Sequence, residues 1–261
     1  MDRKIRMTII GAGSIGGATA IGLAPFADIT ATARTEATLK RFEGKGIRTS
    51  LDNCGAVRGA DIVVFAVKPW LMEEVVRSVR DSLELDRQTI VSMAPGVTSD
   101  QFIQWLGPEA GIAYVIPNTA IEVGESMTFI SPVTTDEAAT EPLRALFACA
   151  GKAMVVEERR LGAGTSLASC GIAYALRYIH AAAQGGVELG FFAHEAAGIA
   201  AQTVKGAAAL LEAHGSHPEA EIDKVTTPGG LTIRGLNAME EAGFSSAVIR
   251  GLMANKSNQA K

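Results

Sequence analysis

Met7-Thr8-Ile9-Ile10-Gly11-Ala12-Gly13-Ser14-Ile15-Gly16-Gly17 decides how the first half of this chain folds. A β-branched run breaks into G-x-G-x-x-G and continues as Ala18-Thr19-Ala20-Ile21-Gly22-Leu23, which suits a helix. In such a turn Gly11 permits the tight bend, Gly13 lets backbone approach a pyrophosphate, and Gly16 lets helix and strand pack closely. A purely structural glycine cluster is the alternative. The motif follows a strand and opens a helix, which favours a dinucleotide cradle made of Gly11, Ala12, Gly13, Ser14, Ile15 and Gly16.

Outward from this turn, short apolar runs alternate with helix-length segments. Ile29 to Ala33, Asp61 to Val67, Thr89 to Met93, Ile112 to Ile116, Met127 to Ile130 and Ala153 to Val156 read as strands covered on both faces. Thr35 to Gly44 and Trp70 to Leu83 read as helices between them, so the expected architecture is a doubly wound α/β sheet of Rossmann type. At the end of the second strand, where a carboxylate would bind the ribose hydroxyls of NAD, stand Arg34 and Thr35; the first acid is Glu36. A guanidinium and a hydroxyl suit the 2′-phosphate of NADP. A solvated surface arginine is the bland alternative, and some use of NAD stays open.

The composition agrees with a soluble enzyme of this plan. The 261 residues, 48% hydrophobic, suffice for one large or two modest domains, and a net charge of -4 with 5% aromatics offers neither a basic stripe nor a stacking platform for nucleic acid. No apolar run is long enough for a membrane span, and the charged Met1-Asp2-Arg3-Lys4 leads straight toward a strand, so a cytoplasmic location is expected. Cys54, Cys149 and Cys170 are scattered without metal-ligand spacing, and His180, His194, His214 and His217 form no H-E-x-x-H pair; no metal is expected.

Beyond Glu157 the pattern changes. From Gly162 to Ala213 there is no strand-like run, only Ala- and Gly-rich stretches at helical spacing. A Rossmann domain over 1–157 and a helical domain over 158–261 are therefore expected. Small residues let helices approach but leave little volume for a self-contained core, which points to completion by a second subunit, with a monomeric helical cap as the alternative. Within this half, Thr226-Thr227-Pro228-Gly229-Gly230-Leu231-Thr232 makes a rigid turn, rich in hydroxyls, that leads into a helix-periodic run. Its amides can form a nest for a carboxylate, or simply a helix-capping loop.

Taken in order, the glycine turn, Val67-Lys68-Pro69, Pro117-Asn118-Thr119, Gly124-Glu125-Ser126-Met127-Thr128, Ala201-Gln202-Thr203-Val204 and the segment from Thr227 to Phe244 resemble the pyrroline-5-carboxylate reductase family over nearly the whole chain. The resemblance implies a Rossmann domain followed by an all-helical dimerisation domain, and reduction of the cyclic imine Δ1-pyrroline-5-carboxylate to L-proline with NAD(P)H, the last step of proline biosynthesis. It places Ala66, Val67 and Lys68 by the adenosine and pyrophosphate, Asn53 by the ribose, and Ser92, Met93, Ala94, Pro117 and Asn118 by the nicotinamide. Thr232 is implied as the hydroxyl next to the imine nitrogen, with Gly229, Gly230 and Thr232 offering amides and Thr226 and Thr227 lining the substrate loop. For these residues plainer readings also stand: Lys68 as a solvated charge, Asn118 as a turn-closing side chain, Thr232 as an N-cap.

The chain departs from the family where Ser-Gly-Pro-Ala-Tyr is usual, reading Cys170-Gly171-Ile172-Ala173-Tyr174, and it carries His180 in place of a usual glutamate. His180, Gln184 and Glu188 share a helix face, either lining an altered pocket or forming a polar stripe or dimer seam. Two other functions therefore remain: a related NADP-dependent reductase of another cyclic imine or keto or hydroxy acid, for which Lys205 is the candidate proton-transfer group, and a non-catalytic NADP-binding regulatory protein.

Overall fold

The computed structural model describes residues 4–255; the charged Met1, Asp2 and Arg3 lie outside them. An eight-stranded sheet has the order β3-β2-β1-β4-β5-β6-β7-β8. Its strands are β1 (Arg6–Ile10), β2 (Asp28–Thr32), β3 (Arg48–Ser50), β4 (Ile62–Phe65), β5 (Thr89–Ser92), β6 (Gly111–Ile116), β7 (Ser126–Pro132) and β8 (Gly151–Val155). The strand order reverses between β1 and β4, so the chain leaves a crevice at the carboxyl ends of those two strands. All pairs are parallel except β6 with β7.

The sheet is covered on both faces, which is why its strands read as continuous apolar runs. One layer gathers Met7, Ile9, Ala18, Leu23, Val64 and Phe147, the other Ile10, Phe65, Met72, Val76, Phe102 and Trp105. In the second layer Phe102 stands edge-on to Phe65 and Tyr114, with ring centroids 6.2 and 6.4 Å away. Tyr114 donates its hydroxyl to Val97 O at 2.6 Å, and burial pushes its phenol well up from the ordinary value. The helices of this part are α1 (Ser14–Leu23), α2 (Glu36–Leu39), α3 (Asn53–Val57), α4 (Met72–Val79), α5 (Ser99–Leu106), α6 (Glu137–Ala148) and α7 (Glu158–Gly164).

Two of the expected helices are divided, and one strand carries no sequence signal. The segment Thr35 to Gly44 is the four-residue α2 followed by a 3-10 turn, Lys40–Phe42. Trp70 to Leu83 is likewise divided, with 3-10 turns on both sides of α4. The strand β3 went unpredicted: Arg-Thr-Ser at a sheet edge has no apolar alternation to announce it.

The compact units divide between Ser169 and Cys170. Helix α7 packs with the first unit: Gly164 lies against the Phe129 ring of β7, where a Cβ would come within 2.8 Å. A π-helical turn, Thr165–Cys170, then leads into the second unit, made of α8 (Gly171–Glu188), α9 (Ala193–His214), α10 (Pro218–Val225), α11 (Leu231–Glu241) and α12 (Phe244–Ala254). It has no strand among its described residues. Helices α8 and α9 meet through small residues, with Gly186 facing Ala196 Cβ at 2.9 Å from its would-be Cβ. Tyr174 ties α8 to α12, donating to Gly251 O at 3.0 Å and accepting from Asn255 Nδ2 at 3.0 Å. Tyr174→Phe is expected to lower stability by about 1 kcal/mol in urea unfolding, the usual net worth of such bonding.

Candidate functional site

The glycine turn lies at the strand-order reversal. Ala66 N donates to Ile10 O at 2.8 Å as β1 ends, and both Gly11 N and Ala12 N donate to Thr32 O of β2, at 3.2 and 2.8 Å. Gly11 has φ +99°, and a Cβ there would lie 2.8 Å from Val67 Cγ1 and 2.9 Å from Ala66 O. A Cβ at Gly16 would collide with Gly11 O and reach Ala66 Cβ at 2.9 Å. Ala66 and Val67 are thus walls of the turn. Gly13 differs: it is exposed, and its would-be Cβ points into open space. It caps α1 without a side-chain bond, and the first turn of α1 holds no acid, so the amides there are free to meet an anion.

The rim residues fall into two groups. Arg34, Thr35 and Lys68 are exposed, and the side chains of Arg34 and Lys68 have no ion-pair or hydrogen-bond partner among the described residues. Thr35 Oγ1 is 3.1 Å from Thr38 Oγ1. Asn53, at the start of α3, accepts a bond from Thr32 Oγ1 at 2.6 Å, which orients its amide at the carboxyl end of β2. By contrast Ser92, Met93, Ala94 and Asn118 are buried, with Asn118 only 4% exposed. Asn118 Oδ1 accepts from Ala120 N at 3.1 Å and closes a turn, while its Nδ2 donates to Ala168 O at 3.5 Å and ties that turn to the π-helical segment. Pro117 O accepts a bond from Ser169 Oγ at 3.4 Å. Arg41, which the sequence reading did not single out, reaches the turn and donates to Gly13 O; the unexplained second glycine of Gly16-Gly17 was its one sequence signal.

A groove of about 410 Å³ lies elsewhere, along the amino-terminal half of β1 to β3 and beside α3, lined by Arg6, Thr8, Thr30, Arg48 and Arg58 among others. It is away from the glycine turn, and Asp61 pairs with Arg6 at 3.1 Å. The strand-end crevice is the site that the chemistry favours.

In the helical unit, the loop between α10 and α11 is built by a turn in which Gly230 N donates to Thr227 O at 2.9 Å and Gly229 takes φ +71°. That bond commits the Gly230 amide, which the sequence reading had offered to a substrate carboxylate. Thr226 is committed too, its hydroxyl donating to Ile222 O at 2.9 Å. Thr232 is not the N-cap: Gly230 is, without a side-chain bond, and Thr232 is the second residue of α11. Its side chain is exposed and has no partner among the described residues. The loop is braced by Arg234 Nη2 on Gly229 O at 3.1 Å. Upstream, Glu221 of α10 takes bonds from Lys224, Ser216 and His214, in that order of weight, which hold its carboxyl at about 2.

The departures from the family pattern sit on α8 and α9. Cys170 has helical dihedrals, φ -72° and ψ -32°, at the end of the π-helical turn, so Ile172 lies inside continuing helix and no preset start is needed there. His180, Gln184, Glu188 and Lys205 are all exposed. Among the described residues, no group of three or more His, Cys, Asp and Glu side chains is placed to hold a metal ion.

Comparison with known proteins covers both units. Residues 6–96 match the family model "NADP oxidoreductase coenzyme F420-dependent", and residues 158–261 match "Pyrroline-5-carboxylate reductase dimerisation". A pyrroline-5-carboxylate reductase structure from Coxiella burnetii superimposes with a TM-score of 0.87 at 26% identity, covering 98% of each chain. Pyrroline-5-carboxylate reductase 1 of Dictyostelium discoideum is 36% identical over 97% of this chain, which spans about half, 49%, of that relative. Pyrroline-5-carboxylate reductase 2 of the same organism is 34% identical over 98% of this chain and 92% of its own length. Identity of 34% sustained over 98% of this chain and 92% of a relative, with a fold that superimposes over 98% of both chains, means that the chain belongs to the pyrroline-5-carboxylate reductase family.

Proposed function

We propose that this chain reduces Δ1-pyrroline-5-carboxylate to L-proline in the cytoplasm, as a homodimer, with NADPH preferred to NADH. The observation that carries the reading is the free Thr232 hydroxyl on the uncapped first turn of α11, behind a Pro-Gly-Gly turn. NADPH, when bound, supplies the hydride, and a C=N carbon is electrophilic once its nitrogen is protonated. The remaining work is positioning. Thr232 Oγ1 orients the iminium and manages its proton, while the amides of Gly229 and Thr232 hold the carboxylate; Thr226 and Thr227 shape the loop and Gly230 closes it.

The residues present fit the dinucleotide. The open face at Gly13 and the uncapped amides of α1 suit a pyrophosphate, and the unpartnered Arg34 beside Thr35 suits a 2′-phosphate. Asn53 stands beyond the carboxyl end of β3 and Lys68 beyond that of β4, on either side of β1 and β2, and Ser92, Ala94 and Asn118 act as buried supports of the crevice. Arg34→Met is expected to raise the NADPH KM about tenfold, the loss of one charge-assisted contact, and to leave the NADH KM unchanged. Equal effects on both cofactors would remove the 2′-phosphate assignment.

The dimer is supported by what the helical unit leaves uncovered. Its buried apolar side chains among the described residues are the alanines Ala183, Ala196 and Ala200, whereas Leu176, Leu189, Phe192, Ile249 and Met253 are more than half exposed. Such a surface is the mark of an obligate partner. The decisive test of the function is NADPH oxidation by the purified protein with Δ1-pyrroline-5-carboxylate, beside a six-membered cyclic imine acid. Turnover confined to the six-membered imine would favour a related reductase, and the departures at Cys170, Ile172 and His180 then become the place to look.

A further inference from the structure

The G-x-G-x-x-G motif accounts for Gly11, Gly13 and Gly16 but not for Gly17. A Cβ at Gly17 would lie 2.5 Å from Nη1 and 2.8 Å from Cζ of Arg41, so the missing side chain makes room for a guanidinium. Arg41 belongs to the 3-10 turn after α2, and its Cζ lies 5.7 Å from the centroid of the Phe42 ring. Its Nη1 donates to Gly13 O at 3.4 Å, and its Nη2 pairs with Glu122 Oε2 at 3.3 Å. Glu122 stands on the 3-10 turn Thr119–Val123, which packs so closely on α1 that Gly22 lies against Ile121 O. The guanidinium is therefore held between the amino end of α1 and the Thr119–Val123 turn.

The bond to Gly13 O has a consequence for the opposite edge of the same peptide. Gly13 O already accepts from Gly17 N at 2.8 Å, and Arg41 adds a second, charged donor. A trans peptide is planar, with its C=O and N-H pointing in opposite directions. Fixing the Gly13 carbonyl along α1, toward Gly17 N, therefore fixes the Ser14 N-H in the opposite direction, out of the amino end of the helix. We propose that Arg41, held by Glu122, is a positioning residue for the dinucleotide: it aims the Ser14 amide at the pyrophosphate through the Gly13 peptide. This rests on the dinucleotide-binding reading above. It assigns the fourth glycine, and a residue outside the motif, to the same task.

The pyrophosphate is common to both cofactors, and this separates Arg41 from Arg34. In Arg41→Met, the Kd values of NADPH and NADH, measured by fluorescence titration, are expected to rise by the same factor of about ten, the size of a charged hydrogen bond lost. The melting temperature of the ligand-free protein stays close to the wild-type value, because the Arg41–Glu122 pair is partly exposed. Arg41→Lys, which keeps a cation near Gly13 O, recovers part of the affinity, and Glu122→Gln weakens both cofactors in the same direction. Weakening of NADPH alone would place the guanidinium on the 2′-phosphate and overturn the positioning role. Unchanged affinities, or a loss that follows a lowered melting temperature in both Arg41 variants, would overturn it as well. Failure of the wild-type protein to bind either cofactor would instead sink the dinucleotide reading itself.

Discussion

Thr232→Ala is expected to lower kcat for Δ1-pyrroline-5-carboxylate reduction by roughly 10²-fold and to leave the Kd of NADPH unchanged, the range for removal of one positioned proton-handling group. The reasoning starts from where the residue stands. At the second position of α11, the Thr232 backbone N-H belongs to the uncapped first turn, while the hydroxyl has no partner among the described residues. A threonine that served only as a helix cap would bond its own helix, and in this structure the cap position belongs to Gly230. Truncation to alanine keeps the backbone amide and removes only the hydroxyl, so carboxylate binding by the amides survives and KM changes little. Thr232→Ser restores a hydroxyl and is expected to recover most of the rate. If kcat survives in the alanine variant while KM rises, the hydroxyl holds the ground state and another group, or solvent, handles the proton.

How much of this was legible in the sequence depends on which interaction dictates each feature. The glycine turn and the buried strands were readable because steric exclusion and two-sided burial leave compositional marks: Gly11 is needed at φ +99°, and Ile62–Phe65 is apolar at every position. The edge strand β3 was not, since only its ladder to β2 makes it a strand, and Arg48, Thr49 and Ser50 carry no burial signal. The antiparallel entry of β7 is set by the path of the chain between Ile116 and Ser126, which no residue pattern encodes. At the second candidate site, the Thr226 to Thr232 motif was visible, but the allocation of its hydrogen bonds was not. The sequence presents several equivalent hydroxyls and amides; only the folded turn commits Gly230 N to Thr227 O and Thr226 Oγ1 to Ile222 O, leaving Thr232 free. Arg41 was missed for a similar reason, because its partners Gly13, Gly17 and Glu122 are distant in sequence or unremarkable in type.

The glycine turn permits a test in which folding and binding separate, and the two substitutions differ by three positions. Gly16→Ala places a methyl group against Gly11 O and Ala66 Cβ, backbone on one side and a strand-anchored residue on the other. Neither can yield without moving α1 off β1, so the variant is expected to lose about 1–3 kcal/mol of stability, as overpacked interiors do, and its affinity for NADPH together with it. Gly13→Ala meets nothing within 4 Å, and the φ of -74° suits any residue. Its ligand-free protein should unfold within about 1 kcal/mol of wild type, the ordinary cost of alanine at a helix cap. The new methyl group nevertheless stands on the open side of the turn, where a pyrophosphate must come close to the amides of Ser14 and Ile15, and the Kd of NADPH should rise by about 10²-fold or more, as for a displaced anion losing charged hydrogen bonds. Urea unfolding and fluorescence titration on the same two proteins measure both quantities. A Gly13→Ala protein that binds NADPH like wild type would show that no ligand approaches this face of the turn, and with it would go the reason for the uncapped first turn of α1. A protein that keeps its fold and loses its cofactor would tie the glycine to the ligand alone, since nothing in the ligand-free chain requires Gly13 to lack a side chain.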